Sequence, residues 1–298
     1  MARNPNHIKM SLDSRIVVIV SYVLVGLMVL IVLIPFLHVI AKAFSSGWAV
    51  FSGSVGLWPV DVTTENMQEV LTSKTFHTAL KNSLIVTSLG TVIAICFSAL
   101  VAYPLAQKKL PFRRFWLLFF VFTMYFSGGL IPTYLWIRTL GLMNSPWAFL
   151  LPSALNIYNM IVMRTYFVSL PEDIREAAQI DGCGEWRYLV QIVLPLSSAV
   201  LAVVALYYGV ARWNAYFDSM IYLQDRSKLP LQNILREIMI VNTSNLAYSN
   251  VEAQAAAEKR AELLKYSMIV IASIPMLVLY PFVQKYFVKG VMIGAVKG

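Results

Sequence analysis

The chain has 298 residues, of which 58% are hydrophobic and only 13% are charged, and its formal net charge is +9. Soluble domains carry a charge on roughly a quarter of their residues, so this composition excludes an ordinary soluble enzyme or binding domain. The basic residues flank apolar segments instead of forming one stripe, which argues against a nucleic-acid-binding protein and favours a membrane protein.

Apolar segments of about 20 residues recur along the chain and predict an all-α, polytopic membrane protein with about six transmembrane helices. The predicted spans are residues 16–37, 79–106, 115–137, 147–167, 198–223 and 266–283. The apolar core of a signal peptide runs about 7 to 15 residues. Because the first segment is longer and further spans follow it, we predict an uncleaved first helix.

Basic residues in the short connections predict the orientation of the spans. Residues 1–15, 107–114 and 285–298 carry three, four and three Lys or Arg residues, whereas residues 138–146 carry one. Because Lys and Arg are retained on the cytoplasmic side during insertion, both termini are predicted to be cytoplasmic. The predicted organisation is a cytoplasmic amino-terminal segment (1–15), a transmembrane domain (16–284) with a cytoplasmic loop (169–197) and an external loop (224–265), and a cytoplasmic tail (285–298).

The cytoplasmic loop 169–197 has residues that are typical of the start and the end of a short surface helix. Ser169 is predicted to cap the helix, Pro171 suits its first turn, and Gly182 is placed to end it after about three turns. Ala177 and Ala178 leave one flank thin enough to enter a cleft on a partner. Charged residues, including Glu176 and Asp181, surround that flank, so the segment is predicted to be a docking element.

The same loop resembles the EAA signature of permease subunits in binding-protein-dependent ABC importers. The matching residues are Glu176, Ala177, Ala178, Gly182, Ile192, Leu194 and Pro195. Departures from the signature are Cys183 where Ala is commoner, Leu189 where an aromatic residue is common, and Ala199 where a proline often closes the motif. These departures bear on the second half of the loop and leave the resemblance intact.

Other stretches resemble permeases of the maltose-transporter type, especially a subgroup importing oligo- or polysaccharides such as alginate. They are SGGLIPTY at 127–134, WN at 213–214, PLQ at 230–232, LRE at 235–237 and YPFVQKYFVKG at 280–290. The resemblance implies a type I ABC importer permease fold in a bacterial inner membrane. It also implies a heterodimer with a second permease subunit, two ATPase subunits docked on the cytoplasmic loops, and an external solute-binding protein that delivers the carbohydrate.

The sequence contains no Gly-x-x-x-x-Gly-Lys-Ser/Thr loop, which is the backbone cradle that holds ATP phosphates in many ATPases. The chain is therefore predicted to be a transport subunit without enzymatic activity or a bound cofactor, with ATP and Mg²⁺ held by the partner ATPases. Two cysteines and three scattered histidines lack the spacing of metal ligands, so no metal site is predicted.

Candidates for contact with a sugar are aromatic, amide and charged residues of the fourth and fifth predicted spans: Asn156, Asn159, Tyr207, Arg212, Trp213 and Asn214. An anionic glycan would favour a positive charge such as that of Arg212. The alternatives are helix-to-helix hydrogen bonds for the two amides of the fourth span, an interface belt or packing for the aromatic residues, and a partner carboxylate or snorkelling for Arg212.

The external loop 224–265 is predicted to be a partly helical, solvent-facing excursion. The family resemblance places Ser244, Asn245 and Tyr248 near the solute-binding protein. It also directs the tail from about residue 285 towards the ATPase pair, with Gly290, Gly294 and Gly298 expected to make that tail flexible. The alternative is that Lys285, Lys289 and Lys297 are positive charges that face the lipid headgroups.

Two other functions compete with import. An ion-coupled secondary transporter would more naturally place Asp or Glu within its spans, and Asp218 is the only clear approach to that pattern. An intramembrane enzyme would need a catalytic pair or a metal cluster in apolar surroundings, and the sequence shows neither.

Overall fold

A computed structural model describes residues 12–241 and 251–295, and all regular elements of these residues are helical. The α-helices are α1 (Leu12–Ala43), α2 (Gly47–Phe51), α3 (Glu65–Thr72), α4 (Lys74–Ala106), α5 (Arg113–Tyr125), α6 (Leu130–Thr139), α7 (Trp147–Leu150), α8 (Ile157–Val168), α9 (Glu172–Ile180), α10 (Glu185–Tyr188), α11 (Leu194–Leu196), α12 (Ser198–Asn214), α13 (Phe217–Tyr222), α14 (Leu231–Val241) and α15 (Val251–Ala295). A π-helical turn, Leu189–Val193, joins α10 to α11, and a 3-10 turn, Arg226–Lys228, precedes α14. The all-α prediction is confirmed.

The chain forms two compact units, and in the described residues the first comprises 12–70 and 251–270. Its small core contains Ala41, Ala49 and Val50, against which Leu263 and Tyr266 pack. Lys42 donates a hydrogen bond to the Tyr266 hydroxyl at 3.2 Å. Most of α1 is apolar and exposed, as expected of a helix whose solvent is lipid.

The second unit comprises residues 71–241 and 271–295 of the described chain, and its core lies where α4, α8 and α12 pack together. Ala94 and Ala102 of α4 are fully buried, together with Met160 and Met163 of α8 and Val204 of α12. Small side chains let membrane helices approach closely, which explains why alanines line this face of α4.

Within the described residues, three helices are long and apolar enough to cross a membrane, and up to five segments qualify if each bent helix pair is one span. The third predicted span is broken, because α5 and α6 meet at 107° and Gly129 between them has a φ of +85°. The fourth is divided into α7 and α8. The fifth is divided into α12 and α13. The multi-pass membrane fold is confirmed, but three of its predicted continuous helices are interrupted.

The external loop is less solvent-facing than predicted, because α14 packs within the second unit. Leu231 is 0% exposed, and its backbone N–H donates to the Ser83 hydroxyl at 2.7 Å. Asn82 also donates to the Ser227 carbonyl at 2.8 Å. The predicted contact residues Ser244, Asn245 and Tyr248 lie outside the described residues.

The tail also differs from the prediction of a flexible segment. Helix α15 begins at Val251 and continues through Gly290 and Gly294 to Ala295. Its contact with an ATPase pair stays a prediction.

Candidate functional site

The predicted docking helix is α9, and its amino-terminal end differs by a few residues from the prediction. Pro171 precedes the first helical residue, and Glu172 and Asp173 occupy the first turn, where negative charge complements the helix dipole. The prediction that Ser169 caps this helix is wrong. Ser169 instead ends α8, where its hydroxyl donates to the Tyr166 carbonyl at 2.7 Å.

The carboxyl-terminal end of α9 is closed as predicted by Gly182, whose φ is +71°. The Asp181 N–H donates to the Ala177 carbonyl at 3.0 Å, and the Gly182 N–H donates to the Gln179 carbonyl at 3.1 Å. The Cys183 N–H then reaches the Ala178 carbonyl at 2.9 Å, which completes a Schellman cap. The turn after α9 is therefore fixed by hydrogen bonds that depend on a left-handed residue.

If the loop docks on an ATPase subunit, as the family resemblance implies, Gly182→Ala is expected to weaken that coupling, whereas Gly184→Ala is expected to be tolerated. Ala at a φ of +71° costs about 1 kcal/mol, which would loosen the cap. Gly184 has a φ of −72° and open space around it, so a methyl group meets no obstacle there. Substrate-stimulated ATP hydrolysis by the assembled importer measures the difference. Equal stimulation in the two variants would contradict a role for the cap.

The two alanines of the signature lie on different sides of α9. Ala178 is 6% exposed and belongs to the main core of its own chain, so it holds the helix in place. Glu176 and Ala177 are exposed. Two large apolar side chains nearby also face outward, with Ile180 86% exposed and Trp186 68% exposed. The outer surface of the loop is thus partly apolar, as a docking surface requires.

Ionic contacts attach the loop to the end of α4, and the sequence did not predict them. Arg175 of α9 pairs with Glu185 of α10 at 2.7 Å, and Glu185 also accepts a hydrogen bond from the Tyr103 hydroxyl of α4. Lys108, just beyond α4, pairs with Glu172 at the start of α9. The hydrogen bond and the positive charge of Lys108 lower the pKa of the Glu172 carboxyl. These contacts connect α9 to the end of α4.

The second half of the loop continues into α12 through a π-helical turn and a sharp bend. The segment Glu185–Leu196 and α12 meet at 82°. Ser197 lies at the bend and is fully buried, and its hydroxyl has no hydrogen-bond partner among the described residues. A π-helical turn and a bend of this size change the direction of a helix at one point. The loop thus has a second mechanical connection, to α12.

Arg212 on α12 finds its partners within the chain. Its guanidinium donates to the Ser153 carbonyl at 3.0 Å and to the Ser153 hydroxyl at 3.2 Å. The stem of Arg212 lies against Gly90 of α4, where an added Cβ would be 2.8 Å from both Cδ and Nε. Arg212 therefore ties α12 to α4 and to the linker between α7 and α8.

The same linker is held by Asn156 and by Tyr208, which the sequence did not single out as a site residue. The Asn156 side chain caps α8 by accepting from the Asn159 N–H at 3.1 Å. The Asn156 N–H donates to the Tyr208 hydroxyl at 2.9 Å, and that hydroxyl lies 2.7 Å from the Ser98 hydroxyl of α4. Asn159 is buried beneath this cap.

The remaining pathway candidates are separated from this cluster. Trp213 is 3% exposed, and its indole N–H donates to the Ala272 carbonyl of α15 at 3.1 Å, so its ring packs between helices. Tyr207 is exposed, and the Asn214 amide donates to the Val210 carbonyl at 3.0 Å. The structure brings Arg212 and Asn156 to one linker and places Trp213 elsewhere. Contact of any of the six candidates with a sugar stays a prediction.

Among the described residues, no group of three His, Cys, Asp or Glu is placed to hold a metal ion.

Comparison with known proteins gives consistent matches over most of the chain. The profile of the family described as "binding-protein-dependent transport system inner membrane component" matches residues 86–293. The Bacillus subtilis (strain 168) polygalacturonan/rhamnogalacturonan transport system permease protein YtcP is 37% identical over 96% of this chain and 100% of that protein. Protein LplC of the same strain is 39% identical over 90% of each chain.

Solved structures show the same fold. A chain of a bacterial ABC transporter involved in the import of the acidic polysaccharide alginate has a TM-score of 0.83 and 34% identity, covering 93% of this chain and 99% of that chain. A chain from a bacterial alginate ABC transporter in complex with an alginate pentasaccharide-bound periplasmic protein has a TM-score of 0.58. Since that chain is 14% identical, it supports the fold alone.

Proposed function

We propose that this chain, which belongs to the family of binding-protein-dependent transport system inner membrane components, carries an oligo- or polysaccharide inward as a permease subunit of an ABC importer. The main observation that supports this proposal is the close structural similarity to a chain of an alginate importer over nearly the full length of both chains. The polysaccharide permease YtcP supports the same substrate class.

The proposed assembly pairs this chain with a second permease subunit, two ATPase subunits and an external solute-binding protein. The sequence has no phosphate-binding loop, so ATP and Mg²⁺ belong to the ATPases. The exposed side of the α9 loop, with Ala177, Ile180 and Trp186, is the surface proposed to dock on one of them.

The proposed mechanism is alternating access driven from the α9 loop. ATP-induced closure of the ATPases would move α9, and the Glu185 contacts would transmit that movement to the Tyr103 end of α4. The bend at Ser197 would transmit it to α12. Coupling then requires that nucleotide and substrate favour different states of the same assembly.

We further propose that the substrate is an acidic polysaccharide fragment such as an alginate oligosaccharide. Arg212 supports this choice, because a partly buried guanidinium in a membrane helix is costly unless a partner or an anion compensates it. Ser153 supplies only neutral acceptors to its two terminal nitrogens, so its positive charge has no carboxylate partner in the described residues.

The test is reconstitution of the importer with its binding protein in liposomes. We expect alginate oligosaccharides to stimulate ATP hydrolysis and to enter the vesicles, and neutral malto-oligosaccharides of equal length to do neither. Uptake should survive collapse of the membrane potential. Uptake that needs an ion gradient and not ATP would overturn the importer, while stimulation by neutral glycans alone would overturn only the acidic substrate.

We also propose that both termini face the cytoplasm and that residues 242–250 face outward. A Tyr248→Cys variant in a background without Cys96 and Cys183 should react with a membrane-impermeant thiol reagent added outside intact cells. Labelling only after the cytoplasmic side is exposed would reverse the orientation.

A further inference from the structure

A cavity of about 440 Å³ lies between the end of α4, the start of α5 and the inner side of α9. Its lining includes four cationic side chains and two acidic ones: Lys108, Lys109, Arg113, Arg175, Glu172 and Glu176. It is large enough for a small polar group, since ligand pockets commonly measure about 300 to 1,000 Å³.

Two of the cations lining the cavity are left without an ionic partner. Lys108 pairs with Glu172 and Arg175 pairs with Glu185. In the described part of the chain, Lys109 and Arg113 form no ion pair with an acidic side chain. Glu176, which also lines the cavity, forms no ion pair in the described residues either, so it offsets one of these two cations and leaves an excess of one positive charge.

The start of α5 adds to this positive charge. Phe112, the residue before the helix, has a φ of 54°. Its side chain has no oxygen that could cap the first N–H groups of the helix. The first turn contains no acidic residue, and Arg113 and Arg114 stand where negative charge is normally favourable. An anion beside Arg113 would interact favourably with the unpaired cations and with the positive end of the helix dipole.

The position of the cavity indicates where such an anion comes from. Residues 107–112 connect two helices whose composition suits a membrane span, so we expect them at the membrane surface. Beyond Arg113 along α5, the side chains of Phe115, Trp116 and Phe119 are exposed. A phospholipid places its phosphate at the surface and its acyl chains alongside such a helix, and basic pockets between membrane helices commonly bind anionic headgroups.

We propose that this cavity binds the headgroup of an anionic phospholipid, with Arg113 and Lys109 contacting the phosphate. The lipid would lie against α9, the helix proposed to dock on an ATPase, so membrane composition would influence coupling. The site requires only that the chain spans a membrane and is independent of the sugar transported.

Native mass spectrometry of the assembled importer, titrated with dioleoyl phosphatidylglycerol, tests the site. The first test variant is Arg113→Gln, and the second is the double variant Arg113→Gln with Lys109→Gln. Arg114→Gln is the matched control, because Arg114 is the exposed neighbour of Arg113 and does not line the cavity. Losing a charge-assisted contact to phosphate should weaken retention of one lipid by about tenfold in Arg113→Gln and leave Arg114→Gln unchanged.

Soluble sn-glycerol 3-phosphate carries the phosphate without acyl chains, so adding it as a competitor distinguishes a lipid headgroup from a free phosphate compound as the ligand. If it displaces the lipid already at a concentration equal to that of the lipid, the acyl chains add nothing to binding, the site recognises a free phosphate compound and the lipid proposal is wrong. Equal lipid retention in Arg113→Gln and Arg114→Gln also overturns the proposal. So does loss of the ATPase subunits from Arg113→Gln with unchanged lipid retention, because the cations would then serve the protein interface.

Discussion

Gly90→Ala is expected to destabilise the permease by about 1 to 3 kcal/mol, which is the usual cost of overpacking a well-packed core. A Cβ at Gly90 would lie 2.8 Å from Cδ and Nε of Arg212 and 2.8 Å from Cδ2 of Leu150. Neither neighbour moves freely, because the Arg212 guanidinium is bound to Ser153 and Leu150 is buried. A lower midpoint of thermal unfolding of the purified importer is the measured result.

Gly209→Ala is the matched control for this experiment. Gly209 is also a glycine within a membrane helix, but the nearest atom to its added Cβ is the Thr91 hydroxyl at 3.8 Å, an ordinary contact. Alanine favours the helix over glycine, so this variant is expected to be neutral or slightly stabilised. Similar losses in both variants would show that any methyl group on these helices is harmful and that the Arg212 contact is not special.

A double-mutant cycle isolates the contribution of Arg212. Arg212→Ala removes Cδ and Nε, so adding Gly90→Ala to it should cost less than the same change in the natural chain. Only the contact with Leu150 remains in that background. Strict additivity would mean that the clash with Arg212 does not contribute.

Features that depend on local chemistry were predictable from the sequence. Gly182 ends α9 because a left-handed residue is needed at that point, and glycine adopts that conformation without strain. The acidic first turn of α9 is equally local. Ser169 shows the limit of this reasoning, since a serine near two helices can serve either the end of one or the start of the next.

Features that depend on distant partners were not predictable. The length and polarity of the loop 224–265 predict a solvent-facing excursion, but Ser83, far away in sequence, accepts the first N–H of α14, and Leu231 is buried. Arg212 was expected to need a charged partner or solvent, whereas a backbone carbonyl of the same chain receives its guanidinium. Tyr103 and Glu185 were overlooked because nothing in their local sequence shows that they meet.

Glu185→Gln is expected to reduce the stimulation of ATP hydrolysis by substrate-loaded binding protein about tenfold, because coupling between sites typically amounts to 1 to 3 kcal/mol and 1.4 kcal/mol is a factor of ten. Glu185 is the residue that contacts both Arg175 of α9 and Tyr103 of α4. Glutamine has nearly the same shape but lacks the charge that holds Arg175. The measurement is the ratio of ATPase rates with and without loaded binding protein.

The unfolding midpoint of this variant should change little, because ion pairs with an exposed partner contribute only about 0 to 1 kcal/mol to stability. Glu237→Gln is the matched control, since Glu237 forms a similar pair with Arg226 at 2.8 Å outside the α9 loop. Its stimulation ratio should equal that of the natural chain. If Glu185→Gln and Glu237→Gln gave the same ratio, the contact between α9 and α4 would only hold the loop in place, and movement of the ATPases would reach the membrane helices through the bend at Ser197.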